Sequence, residues 1–174
     1  MSYIYEYDSP VGLLTVSSDG ENLTGLWLKG QKYFAATLDG QPAVKELPVF
    51  KEVKNWLAAY FDGQKPTFTP PLAPKGSPFR KSVWDILRAI PYGETMTYRD
   101  IAKIIAAQTG KAAMSAQAVG GAVGHNPISI IIPCHRVIGT DGSLTGYAGG
   151  IDVKMKLLTL EGADMSGLFV PKTY

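Results

Sequence analysis

Apolar and polar residues alternate through the first 28 positions. Tyr3-Ile4-Tyr5-Glu6-Tyr7 and Gly12-Leu13-Leu14-Thr15-Val16 each carry the two-residue period of a strand, with Asp8-Ser9-Pro10 as the turn between them. Ser18-Asp19-Gly20 then turns the chain into Leu23-Thr24-Gly25-Leu26-Trp27-Leu28, so an antiparallel sheet is predicted. After Pro48 the period lengthens. Val49, Val53, Trp56, Leu57, Tyr60 and Phe61 share one face of a helix that Gly63 closes. Pro66, Pro70, Pro71, Pro74 and Pro78 follow, and a stretch so rich in proline resists regular structure and reads as a connector. The chain therefore divides into residues 1–76 and 77–174.

The second half is patterned for helices. Ser77-Pro78 suits an N-cap and first turn, and Phe79, Val83, Ile86, Leu87 and Ile90 form an apolar face that Pro91 ends. Beyond the Tyr92-Gly93-Glu94 turn, Thr97 and Asp100 make a capping-box variant ahead of Ile101, Ile104 and Ile105. Gly110 stops that helix and Ser115 starts another, so the pair reads as a helix-turn-helix. The second helix, Ala116 to Val123, is almost entirely Ala, Gly and Val. Its adjacent glycines each cost about 1 kcal/mol of helix stability. Small residues let helices pack closely, and a slim helix can enter a narrow space such as a DNA minor groove, about 6 Å wide; the two readings are compatible on opposite faces. Ile128 to Ile132 reads as a buried extended segment, Val153 to Leu160 as a closing helix, and Gly162 to Tyr174 as a loosely packed tail.

Composition narrows the function classes. A content of 45% hydrophobic and 18% charged residues suits a globular domain, not a disordered or membrane-spanning chain. Met1-Ser2-Tyr3-Ile4-Tyr5-Glu6 has no secretory pattern, and one cysteine permits no internal disulfide, so a reducing cytoplasm is expected. A net charge of +2 means that any nucleic-acid contact comes from a local patch. Cys134, His125 and His135 are too few and too irregularly spaced for a structural zinc, and no phosphate-cradling glycine motif occurs; no metal or cofactor is expected.

The chemistry concentrates at Pro133-Cys134-His135-Arg136. A lone cysteine is by default a small buried hydrophobe. Here an imidazole and a guanidinium follow it directly, and positive charge or a nearby base favours the thiolate, so Cys134 reads as a reactive thiol. A hydrolase built on Cys134 and His135 is disfavoured, because adjacent side chains on an extended segment point opposite ways.

Pro133-Cys134-His135-Arg136, with Gly93-Glu94-x-x-Thr97-Tyr98, Ala118-Val119-Gly120-Gly121-Ala122, Asn126-Pro127 and Gly146-Tyr147-x-Gly149-Gly150, resembles the O6-alkylguanine-DNA alkyltransferase family. The resemblance is strong over roughly residues 77 to 162 and loose before them. It implies an α+β chain: a ribonuclease-H-like α/β subdomain with an antiparallel sheet, then a mainly helical, winged-helix-like helix-turn-helix domain. It further implies a monomer acting on double-stranded DNA without membrane association. O6-alkylguanine, with O4-alkylthymine as a further candidate, is rotated out of the duplex and gives its alkyl group irreversibly to Cys134, once per molecule. Such an attack needs the reacting carbon in line with the sulfur, which a stacked base cannot offer.

The same resemblance assigns roles. His135 is the base that draws the thiol proton through a water, and Glu161 orients the imidazole; alone, Glu161 would read as a solvated residue at a helix end. Tyr98 donates to the flipped base, with a core aromatic as its other reading, and Asn126 is a hinge that an Asx-turn would mimic. Tyr147 belongs to a loop closing over the base. Arg99 and Thr140 match DNA-contacting positions but read equally as surface residues; Arg136 matches the motif or makes an internal ion pair. Two departures stand out. Gln117 occupies the place of an arginine that fills the hole left by the base, so a weaker hold on DNA is expected. Ala148 replaces a residue that is serine in some members. Relatives that lack the acceptor cysteine only bind lesions, and Cys134 argues against that alternative.

Overall fold

The computed structural model describes residues 1–171. Two compact units emerge. The first comprises Met1–Lys75 together with Pro127–Ile131, and the second Gly76–Asn126 together with the chain from Ile132 onward. Each is described separately.

In the first unit, β1 (Tyr3–Ser9), β2 (Gly12–Ser18), β3 (Leu23–Leu28) and β4 (Ala43–Val44) form one sheet in the order β3-β2-β1-β4. β1 and β2 pair antiparallel from Tyr3↔Ser18 to Ser9↔Gly12, while β4 joins β1 in parallel. α1 (Pro48–Phe61) packs on β1 and β2, with Val53, Leu57 and Tyr60 fully buried. Gly25 is required by packing, since a β-carbon there would fall on the Trp27 ring.

The run from Ile128 to Ile132 is buried throughout, as the sequence predicts, but it is not extended. Only its start pairs, through Leu26 N–H to Pro127 O (2.8 Å) and Ser129 N–H to Leu26 O (2.9 Å). Ile130 then takes a φ of +70°, an unusual angle for a β-branched residue, and the chain turns.

The second unit holds α2 (Pro78–Arg88), β5 (Met96–Thr97), α3 (Tyr98–Thr109), α4 (Ala116–Gly124), β6 (Val137–Ile138) and α5 (Ile151–Leu160). The caps form as the sequence predicts. Ser77 accepts from Arg80 N–H, Ser115 accepts from Ala118 N–H, and Thr97 with Asp100 closes a reciprocal capping box. Gly110 ends α3 in the left-handed conformation, φ +69°. α4 is tied to α2 by the Trp84 indole N–H, which donates to the Ala122 carbonyl at 2.8 Å. β5 and β6 make a small parallel pair.

The tail departs from expectation. Leu144 N–H bonds Phe169 O and Phe169 N–H bonds Gly142 O, while Met165 and Leu168 pack against buried Ile138, Leu144 and Leu158. The tail is held because these three side chains would otherwise expose a satellite core. Its last residues, 172–174, lie outside the described residues.

Candidate active site and nucleic-acid interface

Cys134 lies in a single 3-10 turn, Cys134–Arg136, and not on an extended segment. Three residues per turn set successive side chains about 120° apart, so Cys134 and His135 diverge without being opposed. The Cys134 N–H bonds Ile132 O at 2.8 Å, and the same carbonyl takes the Asn126 side-chain amide at 2.7 Å. Asn126, buried at the end of the α4 segment, thereby fixes the approach to the turn. Burial pushes the Cys134 thiol above its ordinary pKa, against the pull of a hydrogen bond from Asn126 and the positive charge of Lys154. The resting sulfur is protonated.

His135 and Glu161 have no exposed side-chain surface. Imidazole Nε2 stands 2.5 Å from Glu161 Oε2. Arg136 Nε donates to Glu161 Oε1 at 2.8 Å, and Gly93 N–H reaches the same oxygen at 3.0 Å. Burial would raise the Glu161 carboxyl, yet the hydrogen bonds and positive charge around it hold it at about 2. Burial lowers His135, which Glu161 only partly opposes, so the ring is neutral at pH 7. Since ionised Glu161 can only accept, Nε2 carries the ring proton and Nδ1 the lone pair. That tautomer is the one a general base needs.

The Arg136 guanidinium is engaged inside the unit, as the ion-pair reading of this residue expects. Besides Glu161, it donates through Nη1 to Ile90 O at 2.7 Å and lies over the Tyr92 ring. The reason is electrostatic: buried Glu161 needs a paired cation, and Arg136 is the adjacent one. Gly93 is needed for its φ of +81°, and a β-carbon there would stand 3.0 Å from the Glu161 carbonyl.

Tyr98 donates its hydroxyl to Thr145 O at 3.3 Å, and burial pushes its pKa up to about 12, so it remains a donor. Tyr147 is buried edge-on to His135, ring centroids 6.4 Å apart, and its hydroxyl has no hydrogen-bond partner among the described residues. Arg99, Gln117 and Thr140 are exposed. Among those residues no cluster of His, Cys, Asp or Glu could hold a metal ion.

Sequence reasoning missed Lys154. Its side chain is fully buried in α5, and its ammonium donates to Val137 O and to Thr145 O (3.0 Å). Burial lowers it to about 8, which Cys134 opposes. A signal existed: Lys154 precedes Leu157 and Leu158 by three and four residues, the spacing of one helix face, and both are fully buried.

The glycines of α4 lie off its packed face, which Val119, Ala122 and Val123 form. A β-carbon added at Gly120, Gly121 or Gly124 would meet nothing within 4 Å. Close packing inside the unit therefore does not require them. They leave a bare outer face beside Gln117.

A thiol next to an imidazole–carboxylate pair, at one turn and one helix end of the unit that carries α3 and α4, fits the class of thiol-dependent proteins. Comparison with known proteins narrows this. Residues 78–163 match the DNA-binding domain, and residues 2–74 the ribonuclease-like domain, of 6-O-methylguanine DNA methyltransferases, and the chain belongs to that family. It is 44% identical over 92% of its length to a methylated-DNA–protein-cysteine methyltransferase of Methanosarcina acetivorans, covering 99% of that protein. A Haemophilus influenzae protein of the same name is 45% identical, with 91% and 86% covered. The crystal structure of Mycobacterium tuberculosis O6-methylguanine methyltransferase superposes with a TM-score of 0.78 at 42% identity over 93% of each chain. The M. tuberculosis protein in complex with DNA gives 0.77 at 42% identity over 92% of each.

Proposed function

We propose that this chain repairs DNA by direct reversal as a methylated-DNA–protein-cysteine methyltransferase, moving the alkyl group of O6-alkylguanine onto Cys134, once per molecule. The observation that carries this reading is the only cysteine of the chain set at the head of a His135–Glu161 pair, in a protein of this family.

Cys134 gives its proton to His135 Nδ1, through a bridging water. The sulfur attacks the alkyl carbon, forming the S–C bond while the C–O6 bond breaks. The electrons left on guanine take up a proton, restoring the neutral base, so one proton is lost by the thiol and one gained by guanine. Glu161 stabilises the imidazolium that forms. The buried charges of Glu161, Arg136 and Lys154 sum to one positive, which favours a Cys134 thiolate, and passing the thiol proton to His135 leaves that sum unchanged. Tyr98 supplies a donor to the rotated base once it leaves Thr145 O, and the Tyr147 hydroxyl is a second polar group available there.

Asn126 acts by holding Ile132 and the thiol, and Arg136 by holding Glu161; both are positioning residues. Gln117, Arg99 and Thr140 are the DNA-facing set, with Gln117 entering the gap left by the base without bringing charge. The bare glycine face of α4 supports close approach to a minor groove. O4-alkylthymine offers the same O–CH3 electrophile and is the second substrate to try.

Incubation with a duplex containing O6-methylguanine should add one methylene of mass to the protein, all of it on the Cys134 peptide, and Cys134→Ala should bind the lesion without gaining mass. A lesion repaired with the protein mass unchanged would sink the proposal.

A further inference from the structure

A groove of about 480 Å³ opens between α3 and the start of α4. Arg99, Lys103, Lys111, Met114 and Ala116 line it, the remaining wall is alanine, and no acidic side chain takes part. Arg99 and Lys103 are four residues apart on α3 and so share a face. Gly110 then reverses the chain, with Lys111 N–H bonded back to Ala106 O at 2.9 Å, which returns Lys111 to the same side. Among the described residues no ion pair engages any of the three cations. The nearest acid in sequence, Asp100, is committed to the Thr97 cap.

Three like charges converging without a counter-charge form a site for an anion. The positive end of α4, which has no acidic residue in its first turn, adds to the field. The cations are exposed and strung along an open groove, with no buried donor to orient a small anion. That favours a polyanion whose charges repeat. The geometry points to a grip on the duplex-DNA phosphate backbone by Lys103 and Lys111 together with Arg99. This backbone grip supplies the charge that Gln117 does not bring to α4. The inference rests on the proposed reading of α4 as the DNA-facing helix.

The test is the salt dependence of binding to duplexes with and without O6-methylguanine, followed by fluorescence anisotropy. Each neutralised phosphate contributes about 0.9 to the slope of log Kobs against log salt. The double variant Lys103→Gln, Lys111→Gln should lower that slope by nearly two, equally on both duplexes, with thermal unfolding unchanged. Lys103→Arg, Lys111→Arg should keep the slope of the unmodified protein. An unchanged slope in the Gln variant, when the unmodified protein binds normally, overturns the groove and leaves the proposed function standing. An equal drop in a Lys51→Gln, Lys65→Gln control, whose side chains lie in the first unit, overturns it as well. If the unmodified protein binds neither duplex, the proposed function fails first.

Discussion

His135, Arg136 and Gly93 all donate to Glu161, and the last two constrain what it can do for His135. Arg136 Nε and Gly93 N–H both occupy Oε1, which leaves Oε2 for the imidazole at 2.5 Å. Replacing Glu161→Gln would remove the charge that selects the Nε2–H tautomer and stabilises the imidazolium. The rate constant for transfer from a methylated duplex should fall about 10²- to 10⁴-fold; a rate within threefold of normal, read by quenched-flow mass analysis, would rule out the base role of His135. The thiol gives a separate pH signature. Because burial raises Cys134, iodoacetamide should alkylate it faster as pH rises through and beyond neutrality, about tenfold per unit while the thiol stays mostly protonated. A flat profile between pH 6 and 8 would mean a thiolate already present.

At the scale of the element, α4 is a helix less stable than its length allows. Gly120 and Gly121 each cost about 1 kcal/mol relative to alanine, and open space surrounds both. Gly121→Ala should raise the unfolding free energy by up to about 1 kcal/mol while weakening duplex binding severalfold, as judged by urea unfolding and anisotropy. Tighter or equal binding would remove the argument that the bare face serves DNA. The tail makes a comparable case for packing. Leu158 has no exposed surface and lies under Met165 and Leu168, so Leu158→Ala should cost about 2–5 kcal/mol, measurable by the same unfolding curves. A cost under 1 kcal/mol would mean that the tail does not cover a real core.

For the molecule as a whole, the buried carboxylate sets the acid limit. Glu161 titrates at about 2 when folded, below the ordinary value of 4.5 for a free glutamate. The unfolded chain therefore binds the extra proton first, and the Glu161 contribution, complete above about pH 4.5, is lost as pH falls toward 2. Chemical denaturation across that window should show stability falling with pH, and the fall should shrink in Arg136→Met, which releases part of the hold on Glu161. The helix caps, the three long strands of the first sheet and the pair of helices α3 and α4 were all legible in the sequence. Each rests on residues a few positions apart, where period, turn chemistry and local hydrogen bonding decide the outcome. Arg136 was not legible in the same way: its partners Glu161 and Ile90 lie 25 and 46 residues away, and only packing determines whether a guanidinium meets solvent or a carboxylate. The same holds for Lys154, whose helix face could be read but whose carbonyl partners could not, and for the α4 glycines, whose freedom depends on what lies opposite them. Ile130 shows the limit within one short run, since apolar residues predict burial, whereas the turn at φ +70° answers to tertiary constraints at both ends. The sequence by itself determined the α-helices, their caps and the long strands, and it singled out Cys134. The tertiary structure alone decided which charges are buried together, because burial and pairing are properties of distant segments brought into one low-dielectric place.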